Sequence, residues 1–576
     1  MGQLIQKLPF IIELFFNGSF ISLYSLWSNS KLPSWLTPEV SKTILQYSVW
    51  FVPFVLLFII VTSYIASEDF EYFIRKHVFS IIIFVPMIIT WGDQEFAYWL
   101  AFVHLISSVL TLYEGKGHQN VKRTVHETLG VIDRLKIKPA QFVILSFVVL
   151  IFIGTLLLKI PVAVKQGQAV SFIDAFFIAT SATCVTGLST VDVYGTFSIF
   201  GQIIILILIQ VGGLGIMTLQ SSMTIMLGRS IAMKDRLVMQ ELLDVSSLEE
   251  LISMIMDIVK YTLIIELWGG IILTLAFTFE GYEFGKALYY GFFHSVSAFC
   301  NAGFALFDNS LESFSTNPLV HGTISILIIL GGLGFIVLKE IKVSFVERRS
   351  LVRLSLHAKI VLSTTFILLA LGTMMFFFGE FLNALDGYSM WGKLQVSFFQ
   401  SVTLRTAGFN TIPLSQLHQY TIYLMTLFMF IGACPGSTGG GIKTTTFAIL
   451  IQSIRSTMKG SKVVEFFDRK IPNFFVVRAT AITIISMMIV SLFLFVLMKI
   501  ETEENFLPFF FEAISAFGTV GLTMGVTPFL SSAGKFTIII LMFIGRVGPL
   551  TMLLAIGQKH DEEGAYEYPD GRIMIG

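Results

Sequence analysis

The sequence predicts an all-α integral membrane protein in which an N-terminal helical bundle precedes four tandem repeats. Of the 576 residues, 55% are hydrophobic and only 13% are charged, and the mean hydropathy is +0.80, values typical of membrane proteins. A short glycine motif recurs four times, at intervals of 116, 105 and 113 residues, which indicates internal duplication. Each copy follows a short apolar segment that begins in aromatic residues and ends in small polar ones.

Residues 1–115 form the predicted N-terminal bundle of transmembrane helices, whose role the sequence does not indicate. Three apolar runs are each about long enough to span a bilayer as a helix; they lie near 44–66, 74–92 and 95–113. The stretch 8–27 is either a fourth span or an interfacial helix. Residues 116–140 are polar and basic, which predicts a cytoplasmic linker into the repeats.

The repeats are predicted to share one order of elements: a span, a half-helix, the glycine motif and a second span. The repeats are assigned to 141–226, 227–339, 340–456 and 457–557, and a C-terminal tail to 558–576. The first spans are predicted near 142–160, 257–279, 358–378 and 477–499. The second spans are predicted near 197–224, 319–338, 419–450 and 533–556.

The four copies of the motif are called the glycine segments. They are Val185-Thr186-Gly187-Leu188, Asn301-Ala302-Gly303-Phe304, Thr406-Ala407-Gly408-Phe409 and Thr519-Val520-Gly521-Leu522. Each half-helix carries a hydroxyl residue five or six positions before its glycine: Ser181, Ser297, Thr403 and Ser515. The half-helices are too short to span a bilayer, so the extended backbone after each must be buried in protein or line water.

Four such segments meeting on one axis would form a ring of carbonyl oxygens able to replace the hydration shell of an alkali cation. The negative C-terminal ends of the half-helix dipoles would point at the ion, and glycine permits both the bend and the close approach. The sequence therefore predicts a pseudo-fourfold pore that binds a cation such as K⁺ at the glycine segments. The alternative is that the four glycines serve ordinary helix packing, which is common in membranes.

Basic residues predict the orientation of the chain. The loops after the first three second spans are rich in Lys and Arg, including Arg229, Lys339 and Arg455, and such loops stay cytoplasmic. The glycine segments are therefore predicted to face the outside. Five acids on that side form a predicted acidic rim that would raise the local cation concentration: Glu280, Glu283, Glu501, Glu503 and Glu504.

The third second span contains five glycines and a proline within ten residues, which cannot remain a regular helix. This break predicts an intramembrane gate loop over 432–446, just inside the glycine segments. Its candidate gating residues are Gly436, Gly439, Gly440, Gly441 and Lys443. A phosphate-binding loop is disfavoured, because one residue too many precedes the lysine and apolar spans flank the loop.

Arg546 lies within the fourth second span, where a charge is costly unless it faces water or a protein interior. The corresponding residues of the other spans are small: Gly213, Gly332 and Ala433. Arg546 is therefore predicted to lie on the pore axis, below the ion site, as an electrostatic barrier and gate residue. The alternative is a structural ion pair with Glu266, the lone acid inside the span 257–279.

Other polar residues in the spans indicate structural roles. Four lie in the half-helices and are expected to tie them to their neighbours: Asp174, His294, Gln400 and Glu512. The three cysteines, Cys184, Cys300 and Cys434, are expected to pack as small residues. No nucleophile with a partner base, metal-ligand spacing or carboxylate pair stands out, so an enzyme is not predicted, and a membrane-embedded enzyme or scaffold has no support.

The sequence resembles the Trk/Ktr/HKT superfamily of cation transporters in three features taken together. These are the four glycine segments, the segment from Phe543 to Pro549 and the gate loop from Cys434 to Thr446. The similarity covers about 140–576 and is greatest to the Ktr-type potassium uptake membrane subunit. It implies a pseudo-fourfold potassium-channel-like pore in each subunit of a homodimer in the plasma membrane. It also implies inward K⁺ transport, often with Na⁺ as a coupling ion, under control of a separate cytosolic nucleotide-binding ring of the RCK type.

The resemblance assigns the filter glycines to Gly187, Gly303, Gly408 and Gly521, the gate loop to 432–446 and the pore arginine to Arg546. Plant relatives that have serine at the first filter glycine favour Na⁺, so the glycine at 187 favours K⁺. The alternative is sodium or sodium/potassium co-transport through the same pore. Within the C-terminal tail, Tyr566–Gly576 resembles the family's C-terminus, which lies at the subunit interface, whereas residues 1–115 are an addition to a simple Ktr subunit.

Overall fold

The computed structural model describes residues 16–24, 38–65, 101, 139–215, 248–346, 353–461, 463–501, 506–549 and 551–552. The chain divides into two compact units, Met1–Ile137 and Lys138–Gly576. The predicted spans near 74–92 and 95–113, the linker 116–140 and the tail 558–576 lie almost wholly outside the described residues.

The first unit contains a helix over 16–24 and the helix α1, Pro38–Ile65. α1 includes the apolar run predicted as a span near 44–66. Phe20 and Tyr24 of the shorter helix belong to one buried cluster with Leu45, Val49 and Val52 of α1. The two helices therefore pack through apolar faces.

The described helices of the second unit are grouped in chain order into four sets, called helix sets one to four. Set one consists of α2 (Pro139–Leu158), α3 (Phe172–Thr183) and α4 (Ile199–Leu214). Set two consists of α5 (Leu248–Phe279), α6 (Phe284–Phe299), α7 (Pro318–Leu333) and α8 (Phe335–Val346). Set three consists of α9 (Leu356–Gly379), α10 (Met390–Thr403), α11 (Gln419–Phe430) and α12 (Thr444–Met458). A hairpin of β1 (Val464–Phe466) and β2 (Arg469–Ile471) follows, with Val464 opposite Ile471. Set four consists of α13 (Asn473–Ile500), α14 (Phe506–Gly518) and α15 (Ser532–Val547).

Helix length separates the spans from the half-helices. Among the described residues, three single helices are long and apolar enough to cross a membrane: Ile255–Phe279, Leu356–Gly379 and Asn473–Ile500. The half-helices α3, α6, α10 and α14 have only 12 to 16 residues. Each nevertheless has a fully buried phenylalanine, namely Phe177, Phe293, Phe399 or Phe511, so the half-helices lie inside the protein.

In three second spans, the helix ends before the residue that the sequence predicts. α4, α7 and α15 end at Gly215, Gly334 and Gly548, whose φ angles are 83°, 90° and 92°. Glycine ends a helix in this way because it adopts positive φ without a Cβ penalty. In set two the chain continues into α8 after a bend of 105°. The predictions 197–224, 319–338 and 533–556 are wrong in this respect.

The sequence predicts the break in the third second span, but the loop does not extend to residue 446. α11 ends at Phe430, and α12 begins at Thr444 with Lys443 as its N-cap. Residues 444–446 are therefore helical. The gate loop of the structure comprises residues 431–443.

Acids at the ends of three first spans contact the N-terminal ends of the following second spans. Glu280 accepts from the Asn317 amide, and Glu380 accepts from the His418 backbone N–H at 3.0 Å. Glu501 accepts from both the backbone N–H and the hydroxyl of Ser531, at 3.0 and 2.7 Å. Glu280 and Glu501 of the predicted acidic rim thus have structural partners, while Glu503 and Glu504 lie outside the described residues.

Candidate functional site

The four glycine segments meet in a closed ring. A Cβ added to Gly303 would lie 2.8 Å from the Ala407 carbonyl oxygen, and one on Gly408 would lie 2.6 Å from that of Val520. A Cβ on Gly187 would overlap the Ala302 carbonyl, and one on Gly521 would overlap that of Thr186. Each glycine therefore faces the carbonyl that precedes the glycine of the next segment, in the order one, two, three, four and back to one.

The backbone has the same unusual conformation in all four segments. The residue two positions before each glycine has positive φ: 56° at Val185, 59° at Asn301, 64° at Thr406 and 50° at Thr519. The glycines follow with φ of 95°, 69°, 77° and 90°. Positive φ is costly for β-branched residues such as Val185, and such strain persists only where the surrounding structure imposes it.

Hydroxyl groups tether each glycine segment to its own half-helix. Ser181 accepts a hydrogen bond from the Gly187 N–H at 3.0 Å, and Ser515 accepts one from the Gly521 N–H at 3.2 Å. Ser297 and Thr403 instead donate to the carbonyl after the glycine, Phe304 at 2.8 Å and Phe409 at 2.7 Å. These are the four hydroxyl residues that the sequence singles out.

Glycines of the second spans let those helices approach the ends of the half-helices. A Cβ on Gly212, Gly331 or Gly545 would overlap a carbonyl oxygen at the end of the neighbouring half-helix; these carbonyls belong to Thr183, Phe299 and Phe517. The sequence shows this second repeat of glycines, but its part in supporting the ring depends on packing that becomes visible only in the structure.

The gate loop contacts the glycine segments directly. The Gly440 N–H donates to the Thr519 hydroxyl at 3.0 Å. A Cβ on the adjacent Gly439 would overlap the Thr406 hydroxyl and lie 2.6 Å from the Ala433 Cβ. The loop therefore lies against the third and fourth segments, at the residues that have positive φ.

The other side of the gate loop is bonded to set two. The Cys434 N–H donates to the Gly332 carbonyl at 3.1 Å, and the Phe335 N–H donates to the Gly436 carbonyl at 3.0 Å. Within the loop, Lys443 Nζ donates to the Gly439 carbonyl at 2.7 Å. Gly436 and Gly441 each have φ of 66°, a conformation that favours glycine. The loop thus joins the bend of the second span in set two, through contacts that no motif in the sequence indicates.

Arg546 bridges the gate loop and set one. Its guanidinium donates to the Thr438 and Gly212 carbonyls, with a longer contact of 3.4 Å to the Gly213 carbonyl. The carbonyls near the end of α4 suit a cation, because the C-terminal end of a helix is negative. Of the six candidate gate residues, Arg546 contacts the loop at Thr438, Gly440 contacts Thr519 and Lys443 contacts Gly439.

The alternative ion pair between Arg546 and Glu266 is not formed. Glu266 accepts from the Gln210 amide at 3.2 Å and from the Cys300 thiol at 3.8 Å. The terminal N–H groups of Arg546 donate instead to carbonyls of the gate loop and of the end of α4. The ion-pair alternative is therefore wrong.

The four polar half-helix residues contact protein groups. Asp174 pairs with Lys535 at 2.8 Å, and Gln400 donates to Asn410 at 3.1 Å. One nitrogen of the His294 ring contacts the Tyr290 carbonyl at 2.7 Å, and the other accepts from the Leu306 N–H at 3.2 Å. Glu512 accepts from the hydroxyls of Thr523 and Thr527. These contacts fit the structural role expected from the sequence. The three cysteines are free and buried, as expected for packing residues.

Comparison with known proteins identifies the family. Residues 125–568 match the TrkH family, described as cation transport protein. The chain is 39% identical over 448 residues to the Ktr system potassium uptake protein B of Bacillus subtilis, covering 77% of this chain and 98% of that protein. It is 37% identical over 449 residues to the potassium/sodium uptake protein NtpJ of Enterococcus hirae, with the same coverage.

The fold is also that of a solved structure. The crystal structure of the potassium transporter TrkH from Vibrio parahaemolyticus matches with a TM-score of 0.59 at 17% identity, over 88% of this chain and 98% of that chain. The described helices and the family match make the chain a multi-pass membrane transporter, not an enzyme. It belongs to the Trk/Ktr superfamily of cation transport proteins.

Proposed function

We propose that this chain mediates potassium uptake across the plasma membrane through a channel-like pore lined by the four glycine segments. The closed ring of glycines and carbonyls carries this proposal, because it brings together four backbone pieces that are over a hundred residues apart in sequence. The relatives named as potassium uptake proteins support the choice of ion.

Dehydration at the ring is the central step of the proposed transport. K⁺ sheds water as carbonyls of the glycine segments replace its hydration shell, and the half-helix dipoles lower the cost of holding the charge. The movement is passive. Each segment has one glycine, where a TVGYG filter has two, so we propose fewer ion positions and weaker selectivity than in a potassium channel.

The gate loop is the proposed barrier on the inner side of the ring. Its contacts with Thr519, with set two and with Arg546 support this role, since all of them must change before the loop can move aside. Arg546 adds a positive charge to the barrier and fixes the loop to set one. The candidate gate residues are the six that the sequence predicts: Gly436, Gly439, Gly440, Gly441, Lys443 and Arg546.

Control by a separate protein is proposed on the pattern of the relatives. Relatives named as protein B and protein D of the Ktr system favour a membrane transporter that works with partner proteins. The resemblance to Ktr-type subunits is the reason to propose a homodimer regulated by a cytosolic nucleotide-binding ring of the RCK type. We place the glycine segments on the outer face and the basic loops on the inner face. In this proposal, residues 1–115 are an additional membrane unit, and Tyr566–Gly576 of the tail is a subunit contact.

Sodium/potassium co-transport is the second candidate, favoured by the similarity to a potassium/sodium uptake protein. Uptake of ⁸⁶Rb⁺ into proteoliposomes that contain the purified chain, with Na⁺ varied, tests both candidates. Uptake that K⁺ inhibits and that is absent from empty liposomes is expected. Uptake that requires Na⁺ would select co-transport, and no uptake above empty liposomes, with or without Na⁺, would refute the pore.

A further inference from the structure

Asn410 is held by hydrogen bonds on every polar atom. It directly follows Phe409, the last residue of the third glycine segment. Its backbone N–H donates to the Ser310 hydroxyl at 3.0 Å, and its carbonyl accepts from the Leu311 N–H at 2.9 Å. Its side-chain nitrogen donates to the Glu312 carboxylate at 3.0 Å. These three contacts all come from residues 310–312, in the loop that follows the second glycine segment.

The remaining acceptor of Asn410 is bonded within set three. Its side-chain oxygen accepts from Gln400 of the half-helix α10 at 3.1 Å and from the Ile412 N–H at 3.3 Å. Because both partners of this oxygen are donors, the orientation of the Asn410 amide is determined, and its nitrogen must face the carboxylate. Asn410 therefore connects the half-helix of set three with the outer loop of set two.

The Glu312 carboxylate accepts the hydrogen bond from the Asn410 side chain. Glu312 is partly buried in the outer loop, and burial raises the pKa of its carboxyl. Among the described residues, no lysine or arginine forms an ion pair with it. Ser310, two residues earlier, has φ of 53°, an uncommon conformation for serine that aims its hydroxyl and the Leu311 N–H at Asn410.

We infer that Asn410 and Glu312 are positioning residues that fix the spacing between the second and third glycine segments and so contribute to discrimination between K⁺ and Na⁺. The inference rests on the proposed pore. Carbonyl rings discriminate between cations through the number and placement of their oxygens. The hydrogen bonds between Asn410 and residues 310–312 join the outer end of the third glycine segment to the loop that follows the second glycine segment. Loss of these bonds would let one side of the ring widen.

A donor–acceptor exchange tests the inference. Asn410→Asp places a carboxylate oxygen against Glu312, where the hydrogen bond becomes a repulsion. Glu312→Gln keeps an acceptor for Asn410. The double variant restores a hydrogen bond with its direction reversed, from the new amide at position 312 to the new carboxylate at position 410. The readout is the ratio of K⁺ to Na⁺ concentrations that half-inhibit ⁸⁶Rb⁺ uptake into proteoliposomes.

We expect Asn410→Asp to lower the K⁺ preference by about fivefold, and both Glu312→Gln and the double variant to stay within about twofold of the parent. If Asn410→Asp elutes as aggregate on size exclusion, Asn410→Ala replaces it, with a smaller loss expected in the same direction. An unchanged preference in Asn410→Asp or its alanine replacement, or a double variant no better than Asn410→Asp, would overturn the inference. No Rb⁺ uptake by the parent protein would refute the proposed function instead.

Discussion

At the scale of single residues, the site depends on the absence of a Cβ at the four glycines and on strained backbone angles two residues before them. Four glycines have no Cβ where the neighbouring carbonyl lies, and Val185, Asn301, Thr406 and Thr519 accept positive φ. The sequence predicts the glycines, because their spacing repeats. It cannot predict the strained residue before them, since valine and threonine there favour an extended strand when judged alone.

Gly187→Ser is expected to lower the K⁺ preference by at least about fivefold, because its Cβ would overlap the Ala302 carbonyl and displace it from the ring. The measurement is inhibition of ⁸⁶Rb⁺ uptake by K⁺ and Na⁺. Gly167→Ser is the matched control: Gly167 also has positive φ, 83°, but nothing lies within 4 Å of the added Cβ. An equal effect of both substitutions would assign the change to backbone strain instead of crowding in the ring.

Thr519 offers a test of the contact between ring and gate loop. Thr519→Val keeps the shape of the side chain but removes the acceptor of the Gly440 N–H, leaving that buried donor without a partner. We expect uptake by the chain alone to rise about fivefold, because the loop loses a closing contact. Thr519→Ser retains the hydroxyl and is expected to match the parent. Valine and serine variants with the same uptake rate would contradict this role.

At the scale of elements, the sequence identifies the spans and half-helices but not where the second spans end. Three second spans contain a four-residue stretch that begins and ends in glycine, and continuous membrane helices also use closely spaced small residues for packing. These stretches are Gly212–Gly215, Gly331–Gly334 and Gly545–Gly548. In the structure, the first glycine of each stretch packs against a half-helix and the last ends the helix with positive φ. Only tertiary contacts distinguish these two uses of glycine. The gate loop was predictable because a proline and five glycines exceed what any helix tolerates.

Arg546→Gln is expected to raise uptake by the chain alone about tenfold, because its bonds to the Thr438 and Gly212 carbonyls hold the gate loop against α4. Arg546→Lys keeps the charge but loses the planar guanidinium, whose two terminal nitrogens donate to two carbonyls at once. Uptake is therefore expected to rise with this variant too. Arg455→Gln removes an exposed charge from α12 and serves as the control.

Rates of ⁸⁶Rb⁺ flux into liposomes separate the two roles of Arg546. A lysine variant that matches the parent, beside a glutamine variant that does not, would show that the charge alone forms the barrier. Equal rates for all four proteins would remove Arg546 from the gate.

At the scale of the whole molecule, the ring closes only if the first and fourth helix sets meet. The sequence predicts four similar units, but their cyclic order depends on contacts between residues far apart in the chain. The pair of Asp174 and Lys535, separated by 361 residues, is one of these contacts and lies at the start of α3 and of α15. Both side chains are mostly buried, with 14% and 13% exposed, and each residue looks like an ordinary helix-end charge in the sequence.

The pH dependence of this closing pair follows from the pKa of Asp174. Burial raises the pKa, but the hydrogen bonds from Lys535 and Ser171 and the positive charge of Lys535 help to outweigh burial and set the pKa below its ordinary value of 3.8. A carboxyl whose pKa is lower in the folded state than in the unfolded state stabilises the fold when the pH is above the unfolded-state pKa. This stabilisation is lost only as the pH falls through the folded-state pKa. The contribution of the pair to stability is therefore expected to be constant between about pH 5 and pH 8.

A double-mutant cycle on Asp174 and Lys535 tests whether this pair closes the ring. Asp174→Asn and Lys535→Met are each expected to lower the melting temperature of the purified protein by about 2 °C at pH 7, since each leaves a partly buried charge without its partner. The melting temperature of the double variant should fall by less than the sum of the two single decreases, because no unpaired charge remains. The same differences at pH 5.5 and pH 7.5 would agree with the lowered pKa. Additive losses would mean that the two charges act independently, and ring closure would then depend on the other contacts between the first and fourth sets, such as that of Arg546 with the Gly212 carbonyl.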